Sequence, residues 1–391
     1  MRFAQRIDNL PPYLFAKVDE VFAEAEKDGV DIISFGIGDP DQPTPEHIVN
    51  EAIQSLKNPE THSYTSYIGL EKYRRAIVDF YQRRFGVELD PDSEVLALTG
   101  SKEGIAHLPI GILNPGAIAL IPDPAYPVYN TGTILCDGKP YRIPLREENG
   151  FLPDLEGIDL KIAKQARLLF LNYPNNPTGA VASKDFFEKV INFAKVNDII
   201  VAHDMAYAQL GLDGYQPPSI LEIPGAKEIA VEFYSLSKTY NMSGWRLGAL
   251  VGNSQVVDSL KRVKTNMDSG VFEVVQYAGI KAIYDSQKVV KELANLYQER
   301  RDLAIKSLRE LGWDLEPNQA TFYLWIPVPT GYKSQQFSEQ VFTRTGVYFT
   351  PGIAYGDCGD DYVRLSLTLS QKRMKEAFKR LKENGVYYKY E

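Results

Sequence analysis

Cysteine is nearly absent: Cys136 and Cys358 are the two in 391 residues, far apart and without C-x-x-C spacing. Neither a disulfide framework nor a thiolate metal site follows from such usage. Histidine is as scarce, and His47, His62, His107 and His203 are scattered in a way that reads as packing or surface residues, so no metal is expected. Positive charge is in deficit. With 43 Lys+Arg against 51 Asp+Glu, the net charge of −8 repels phosphate backbones, and no basic block offers itself to an anionic membrane. Nucleic acid and membrane are therefore not expected partners. Nowhere do about 18 uncharged apolar residues occur consecutively, and the opening "MRFAQRIDNLPPYLF" holds no apolar run suited to a signal peptide. A cytoplasmic protein is expected. Internal repeats, Gly/Ser linkers and low-complexity segments are missing as well.

What is present is ordinary in kind and unusual in arrangement. Hydrophobic residues at 44% and a charged fraction of 24% suit a soluble globule. The length exceeds the size at which one core stops growing, which predicts a large domain with a smaller companion. From about residue 95, short apolar runs alternate with amphipathic stretches: "VLALTG", "AIALIPD", "RLLFLNY", "IIVAHD", "VEFYSLS" and "GALVG". Runs without polar alternation suit strands covered on both faces, and the interleaved helices imply a parallel α/β sheet. In "SKDFFEKVINFAKVND", Phe187, Val190, Ile191 and Ala194 fall at i, i+3, i+4 and i+7, so a helix packs one face on that sheet. Residues 283–312 predict one long helix leading to the second lobe. Beyond it, "TFYLWIPV", "GVYFTPG", "YVRLSL" and the basic "QKRMKEAFKRLKEN" predict a small α+β lobe.

In open parallel sheets ligands sit beyond the carboxyl ends of the strands, so the residues following each apolar run are the candidates for chemistry. After "VLALT", Gly100 and Ser101 open a helix whose free N–H groups favour a phosphate, although Ser101 is also an ordinary N-cap. After "AIALIP", "DPAYPVY" stiffens a loop carrying Tyr126, either a ring-stacking residue or a packed aromatic. "NYPNNPTG" is a tight turn in which Asn175 and Asn176 aim an amide at the mouth of the sheet, or simply a turn. Asp204 closes "IIVAHD", with Tyr207 three residues on; a carboxylate there needs a cation, a donor or a cap. Lys238, in "FYSLSKTYNMSGWRLG", ends a buried run. Partial desolvation lowers its pKa and makes it a nucleophile, while Ser235, Ser237 and Arg246 supply donors and a bidentate cation for a phosphate dianion. Jointly these groups match pyridoxal 5′-phosphate: an amine for its aldehyde, an anion for its ring nitrogen, a phenol and an amide for its ring oxygen, and a helix start for its phosphate.

"NNPTG", "HDMAY", "SLSKTYNMSGWRLG" and the late "YVRLSL", in this order, resemble the fold type I (class I/II) pyridoxal-phosphate aminotransferases over nearly the whole chain. The resemblance implies a large domain with a mostly parallel seven-stranded sheet between helices (45–285) and a smaller α+β domain formed by the N-terminal arm and the C-terminal part (1–44 and 286–391). It implies that Lys238 joins the cofactor aldehyde, Asp204 pairs with the pyridinium, Asn176 and Tyr207 contact the ring oxygen, and Tyr126 stacks on the ring. Ser101, Lys102 through its backbone N–H, Ser235, Ser237 and Arg246 would surround the phosphate. Tyr64 of "YTSYIGL" would reach the phosphate of a neighbouring subunit, implying a homodimer with shared sites. Arg364 would clamp the substrate α-carboxylate beneath Gly38 of "FGIGDPD". Within the family, "LPPYLFAKVDE", "GIGDPDQPTP", "PDPAYPVY" and "KTNMDSGVFEVVQYAGI" are most similar to the LL-diaminopimelate aminotransferases of lysine biosynthesis. An aspartate, alanine or broad-range aminotransferase is the alternative. A lyase could use the same lysine, and a cofactor-binding regulator would need a DNA-binding module of which no sign precedes residue 95.

Overall fold

The apolar runs become strands sealed on both faces. The computed structural model describes residues 3–11 and 14–388. After the two-residue strand β1 (Ile33–Ser34) comes one sheet of β2 (Val95–Leu98), β3 (Ile118–Asp123), β4 (Lys139–Pro144), β5 (Ala166–Asn172), β6 (Ile200–Met205), β7 (Ala230–Ser235) and β8 (Gly248–Gly252). These seven strands lie in the order β2-β8-β7-β6-β5-β3-β4. β8 runs antiparallel to both of its neighbours, and the remaining pairs are parallel. Alternation within a run decides which face each residue serves: Val95 and Ala97 join one apolar core, Leu96 and Leu98 the opposite one. The helix Lys184–Asn197, capped by Ser183 Oγ accepting from Phe186 N (3.2 Å), buries Phe187, Val190, Ile191 and Ala194 as their spacing predicts.

Two elements differ from the sequence reading. β4 has no counterpart among the six apolar runs, because it is an edge strand, mostly uncovered, and carries Pro140 and Pro144, which an edge tolerates. The long helix expected over 283–312 is interrupted: one helix ends at Glu273–Tyr284 and the next spans Lys288–Glu310. Gln287 causes the break by donating its amide to the carbonyls of Ala282 (3.1 Å) and Asp285 (2.8 Å), terminating the first helix.

Past that break the chain builds a third apolar core around Phe35, Tyr297, Trp313, Phe349 and Phe378. β9 (Tyr323–Pro327), β10 (Val347–Tyr348), β11 (Thr350–Pro351) and β12 (Tyr362–Ser366) belong to it. β11, β12 and β9 form an antiparallel sheet, whereas β10 pairs in parallel with β1, drawing the early chain into this lobe. On that pairing we propose 1–44 with 286–391 as the smaller domain and 45–285 as the larger.

One polar knot holds helix to sheet in the dry interior. Glu232 of β7, fully buried, accepts at Oε1 from Tyr81 Oη (2.8 Å) and Ser219 Oγ (2.8 Å), while its Oε2 accepts from Ile220 N (3.1 Å) and meets His203 Nδ1 at 2.7 Å. His203 thus serves packing, as the sequence reading expects. Glu232→Ala strips all these partners at once and should destabilise the fold by about 3 kcal/mol, with Glu232→Gln losing clearly less. Urea unfolding of the two variants beside the parent checks this; an unchanged midpoint for Glu232→Ala would refute it.

Candidate active site

The reversal of β8 is what completes the site. Its first residue, Gly248, pairs with Ser235 at the end of β7 and with Leu98 at the end of β2. Arg246, two residues before β8, is therefore delivered to the same edge where the parallel strands end. A cavity of about 700 Å³ opens there against the smaller lobe. Lys238, Asp204, Tyr207, Asn176, Tyr126, Ser101, Lys102, Ser235, Ser237, Arg246, Gly38 and Arg364 all line it, whereas Tyr64, 89% exposed, lies away from the cavity of its own chain.

Lys238 sits on a single turn, Leu236–Thr239, whose N-cap Ser235 accepts from Ser237 N (3.2 Å). Its Nζ donates to Gly38 O (2.6 Å) and stands 3.9 Å from Asp39 Oδ1. Burial pushes the amine down from its ordinary 10.5 to about 8; Asp39 opposes the shift, and the cations Arg364 and Arg246 add to it. Gly38 can pass so close because it has no side chain: a Cβ there would collide with the Tyr323 hydroxyl.

Asp204, on β6, is buried and asymmetrically bonded. Tyr129 Oη donates to its Oδ2 (2.8 Å), while Oδ1, equally inaccessible to water, has no partner among the described residues. Burial raises this carboxyl from 3.8 to about 6, against the lowering effect of the Tyr129 hydroxyl. An orphaned carboxylate oxygen aimed into a cavity is a receptor for a cation or an N–H. Asn172 fixes the strand beside it, donating to Asp204 O (2.7 Å) and accepting from Asn176 N (2.8 Å).

Arg364 of β12 is 3% exposed and pairs with no carboxylate among the described residues. Its guanidinium donates to Asn176 Oδ1 (2.8 Å) and Gly36 O (2.7 Å) and lies 4.2 Å from the centroid of the Tyr323 ring, leaving Nε unsatisfied. Tyr207 Oη donates to Tyr323 Oη (3.1 Å), so the phenol, the amide and the arginine form one connected wall. A buried guanidinium without an anion is a site for one.

A second anion cup lies at the other end. Ser101 begins the helix Ser101–Ile112, preceded by Gly100 at φ 75°, and the Arg246 guanidinium packs so close to Gly100 that any Cβ would strike it. The buried Ser235 and Ser237 complete the cup. Lys102 Nζ lies 5.9 Å from the centroid of the Tyr126 ring, which in turn meets Tyr129 edge-on.

Sequence reasoning missed Tyr129, Asn172 and Tyr323. Tyr129 and Asn172 stand inside the stretches "DPAYPVY" and "RLLFLNY", and Tyr323 in "TFYLWIPV", but no local pattern tells a buried tyrosine with a job from one that only packs. Asn175 is corrected: its side chain supports its own turn, bonding Thr178 N (3.0 Å) and Asn172 O (3.0 Å), and the amide facing the cavity is that of Asn176.

The residues present fit pyridoxal 5′-phosphate: the unpartnered Asp204 Oδ1 answers a protonated ring nitrogen, the desolvated Lys238 amine an aldehyde, and the cup at Ser101 and Arg246 a phosphate. The family model for class I and II aminotransferases matches residues 30–381. The chain belongs to that family. An LL-diaminopimelate aminotransferase of Halothermothrix orenii is 56% identical over 389 residues, covering 100% of both chains. One from Desulforudis audaxviator is 54% identical over 97% of each. Among solved structures, apo BacF from Bacillus subtilis superposes with a TM-score of 0.96 at 37% identity over 100% of both chains. Class I/II aminotransferases generally depend on pyridoxal phosphate and act on amino acids and 2-oxo acids. Among the described residues no helix is long and apolar enough to cross a membrane, and no cluster of His, Cys, Asp or Glu could hold a metal.

A lowered lysine pKa means that the neutral amine predominates above about pH 8 in this aminotransferase, where an ordinary lysine is still protonated. In the cofactor-free protein, acylation of Lys238 followed by peptide mapping should rise with a midpoint near pH 8. A midpoint above about 10 would contradict the desolvated setting.

Proposed function

We propose that this aminotransferase is a pyridoxal-phosphate-dependent LL-diaminopimelate:2-oxoglutarate aminotransferase, working as a cytoplasmic homodimer. The observation that carries the chemistry is that a desolvated amine, a buried carboxylate with one bare oxygen and a buried arginine without an anion all face one cavity. The substrate is supported by relatives named LL-diaminopimelate aminotransferase at 48–56% identity over essentially their full length.

When bound, the cofactor supplies an aldehyde that captures the amino group and a protonated ring that accepts the electrons left at the substrate Cα. Lys238 would hold the aldehyde carbon, Asp204 Oδ1 the ring nitrogen, Tyr207 and Asn176 the ring oxygen, and Tyr126 the ring face. Ser101, the Lys102 N–H, Ser235, Ser237 and Arg246 would hold the phosphate. Because Asn176 Oδ1 already accepts from Arg364, its Nδ2 remains to donate toward that ring oxygen. Arg364 grips the substrate α-carboxylate with two donors while the segment at Gly38 covers it, and this fixes which bond at Cα faces Lys238. Displaced from the aldehyde carbon by the substrate amino group, the Lys238 amine would take the Cα proton and deliver it to that same carbon. Asp204 stays anionic while a cation faces it. Both substrates use the same wall in turn, which makes the kinetics ping-pong.

Two outcomes test this. Exposing the holoenzyme to single amino acids without an acceptor should give rapid spectral conversion with LL-diaminopimelate and glutamate, and much slower conversion with meso-diaminopimelate, lysine and aspartate, by up to roughly a thousandfold. Aspartate or alanine outrunning LL-diaminopimelate would leave a broad-range aminotransferase instead. Lys238→Ala should lower turnover by about a thousandfold or more. Mixing Lys238→Ala chains with impaired Tyr64→Phe chains should restore activity, because one site in each mixed dimer then holds both intact residues. No recovery would mean that each site is built within one chain.

A further inference from the structure

Lys264 is the most deeply buried lysine that the site does not use. It lies in the last turn of the helix Ser254–Thr265, its side chain is 0% exposed, and its helix packs on Ser101–Ile112 through Ser259 Oγ donating to Gly111 O (2.8 Å). Lysine is almost never buried to this extent unless paired. Here it has two carboxylates: Nζ donates to Asp268 Oδ2 (2.6 Å) and stands 3.5 Å from Glu103 Oε2.

The two partners lead in different directions. Glu103 lies in the first turn of the helix that begins at Ser101, where it accepts from Thr99 N (3.2 Å) and faces His107 Nδ1 (3.0 Å). It therefore fixes the turn through Gly100 that presents Ser101 to the cavity. A carboxylate suits the positive end of the helix, but it adds negative charge one turn from a cup built for a dianion, and the Lys264 ammonium offsets it. Asp268 accepts from Gly270 N (2.8 Å). Gly270, at φ +91°, packs so tightly that a Cβ would meet Ser66 O at 2.7 Å and Thr65 Cγ2 at 2.9 Å. That turn is thereby seated on the loop bearing Tyr64. Tyr64 (89% exposed), Met267 (53%) and Phe272 (48%) leave this region rich in large exposed apolar side chains, the composition of a surface meant for covering.

We propose that Lys264 is a positioning residue that joins the start of the phosphate-holding helix to the surface this chain offers a second copy of itself, so that one buried ammonium sets both the cofactor cup and the shared-site contact. The inference rests on the cofactor and homodimer reading above. It separates into two arms. Glu103→Gln keeps the shape and removes the negative charge while Lys264 stays positive beside the cup; it should lower the pyridoxal phosphate dissociation constant about tenfold, read by equilibrium dialysis, with dimerisation unchanged. Asp268→Asn should raise the dimer dissociation constant about tenfold, read by sedimentation, with cofactor affinity unchanged at concentrations where the dimer persists. Lys264→Met should move both. If Lys264→Met does not fold, the two carboxamide variants carry the test. Neither constant changing in them, or both changing together in each, would overturn the proposal and leave Lys264 a packing element. A parent chain that binds no pyridoxal phosphate or remains monomeric would sink the functional reading itself, which is a separate failure visible before any variant is made.

Discussion

Lys238 and Asp204 at the carboxyl edge of the large sheet, and Arg364 facing them from the small lobe, are held out of water around one cavity, and each would be more stable as a charged group in solvent. Almost everything else in the site follows from that desolvation. It weakens the proton's hold on the lysine, raises the aspartate toward neutrality, and leaves one carboxylate oxygen and one guanidinium N–H without partners. A fold tolerates such groups when its interior is otherwise well satisfied. Here the completely buried strands β2, β3, β7 and β8 and the knot around Glu232 supply that surplus.

The segment from Gly36 to Thr44 spreads the arrangement across both lobes. Gly36 O accepts from Arg364, Ile37 O from Thr368 Oγ1 (2.7 Å) and Gly38 O from Lys238. Asp41 is gripped by both terminal nitrogens of Arg300 at 2.7 Å, and Thr44 Oγ1 donates to Asn241 O (2.6 Å) while accepting from Trp245 Nε1 (2.9 Å). This strand of chain is thus tied alternately to the small lobe and to the edge of the large sheet. Its carbonyls occupy donors that a bound anion would claim, so Arg364 and Lys238 are held in place for the ligand by contacts the ligand can replace.

Local chemistry made much of this legible in the sequence. Apolar runs without alternation declared buried strands, and residues directly after them had to lie at the carboxyl edge, which is why Ser101, Tyr126, Asn176, Asp204 and Lys238 could be named from their neighbours alone. The helix over Lys184–Asn197 could be read from its periodicity because one face meets the sheet. β4 could not, since an exposed edge strand need not be apolar, and the break before Lys288 depended on where one glutamine folded its amide.

The order of the strands, and with it the meeting of distant residues, is not a local property. Sequence chemistry determined the kinds of group available: an amine ending a buried run, a carboxylate ending another, a helix start suited to phosphate, an arginine in a late strand. Tertiary structure alone decided that β8 runs backward and so brings Arg246 to Gly100, that Tyr129 takes one oxygen of Asp204 and leaves the other bare, and that Tyr323 lies under Arg364. The reason is physical. Propensity and hydrophobic period act over a few residues along the chain, whereas desolvation and hydrogen-bond satisfaction depend on what packs across space, and the value of a buried tyrosine or lysine is set only when its neighbours arrive.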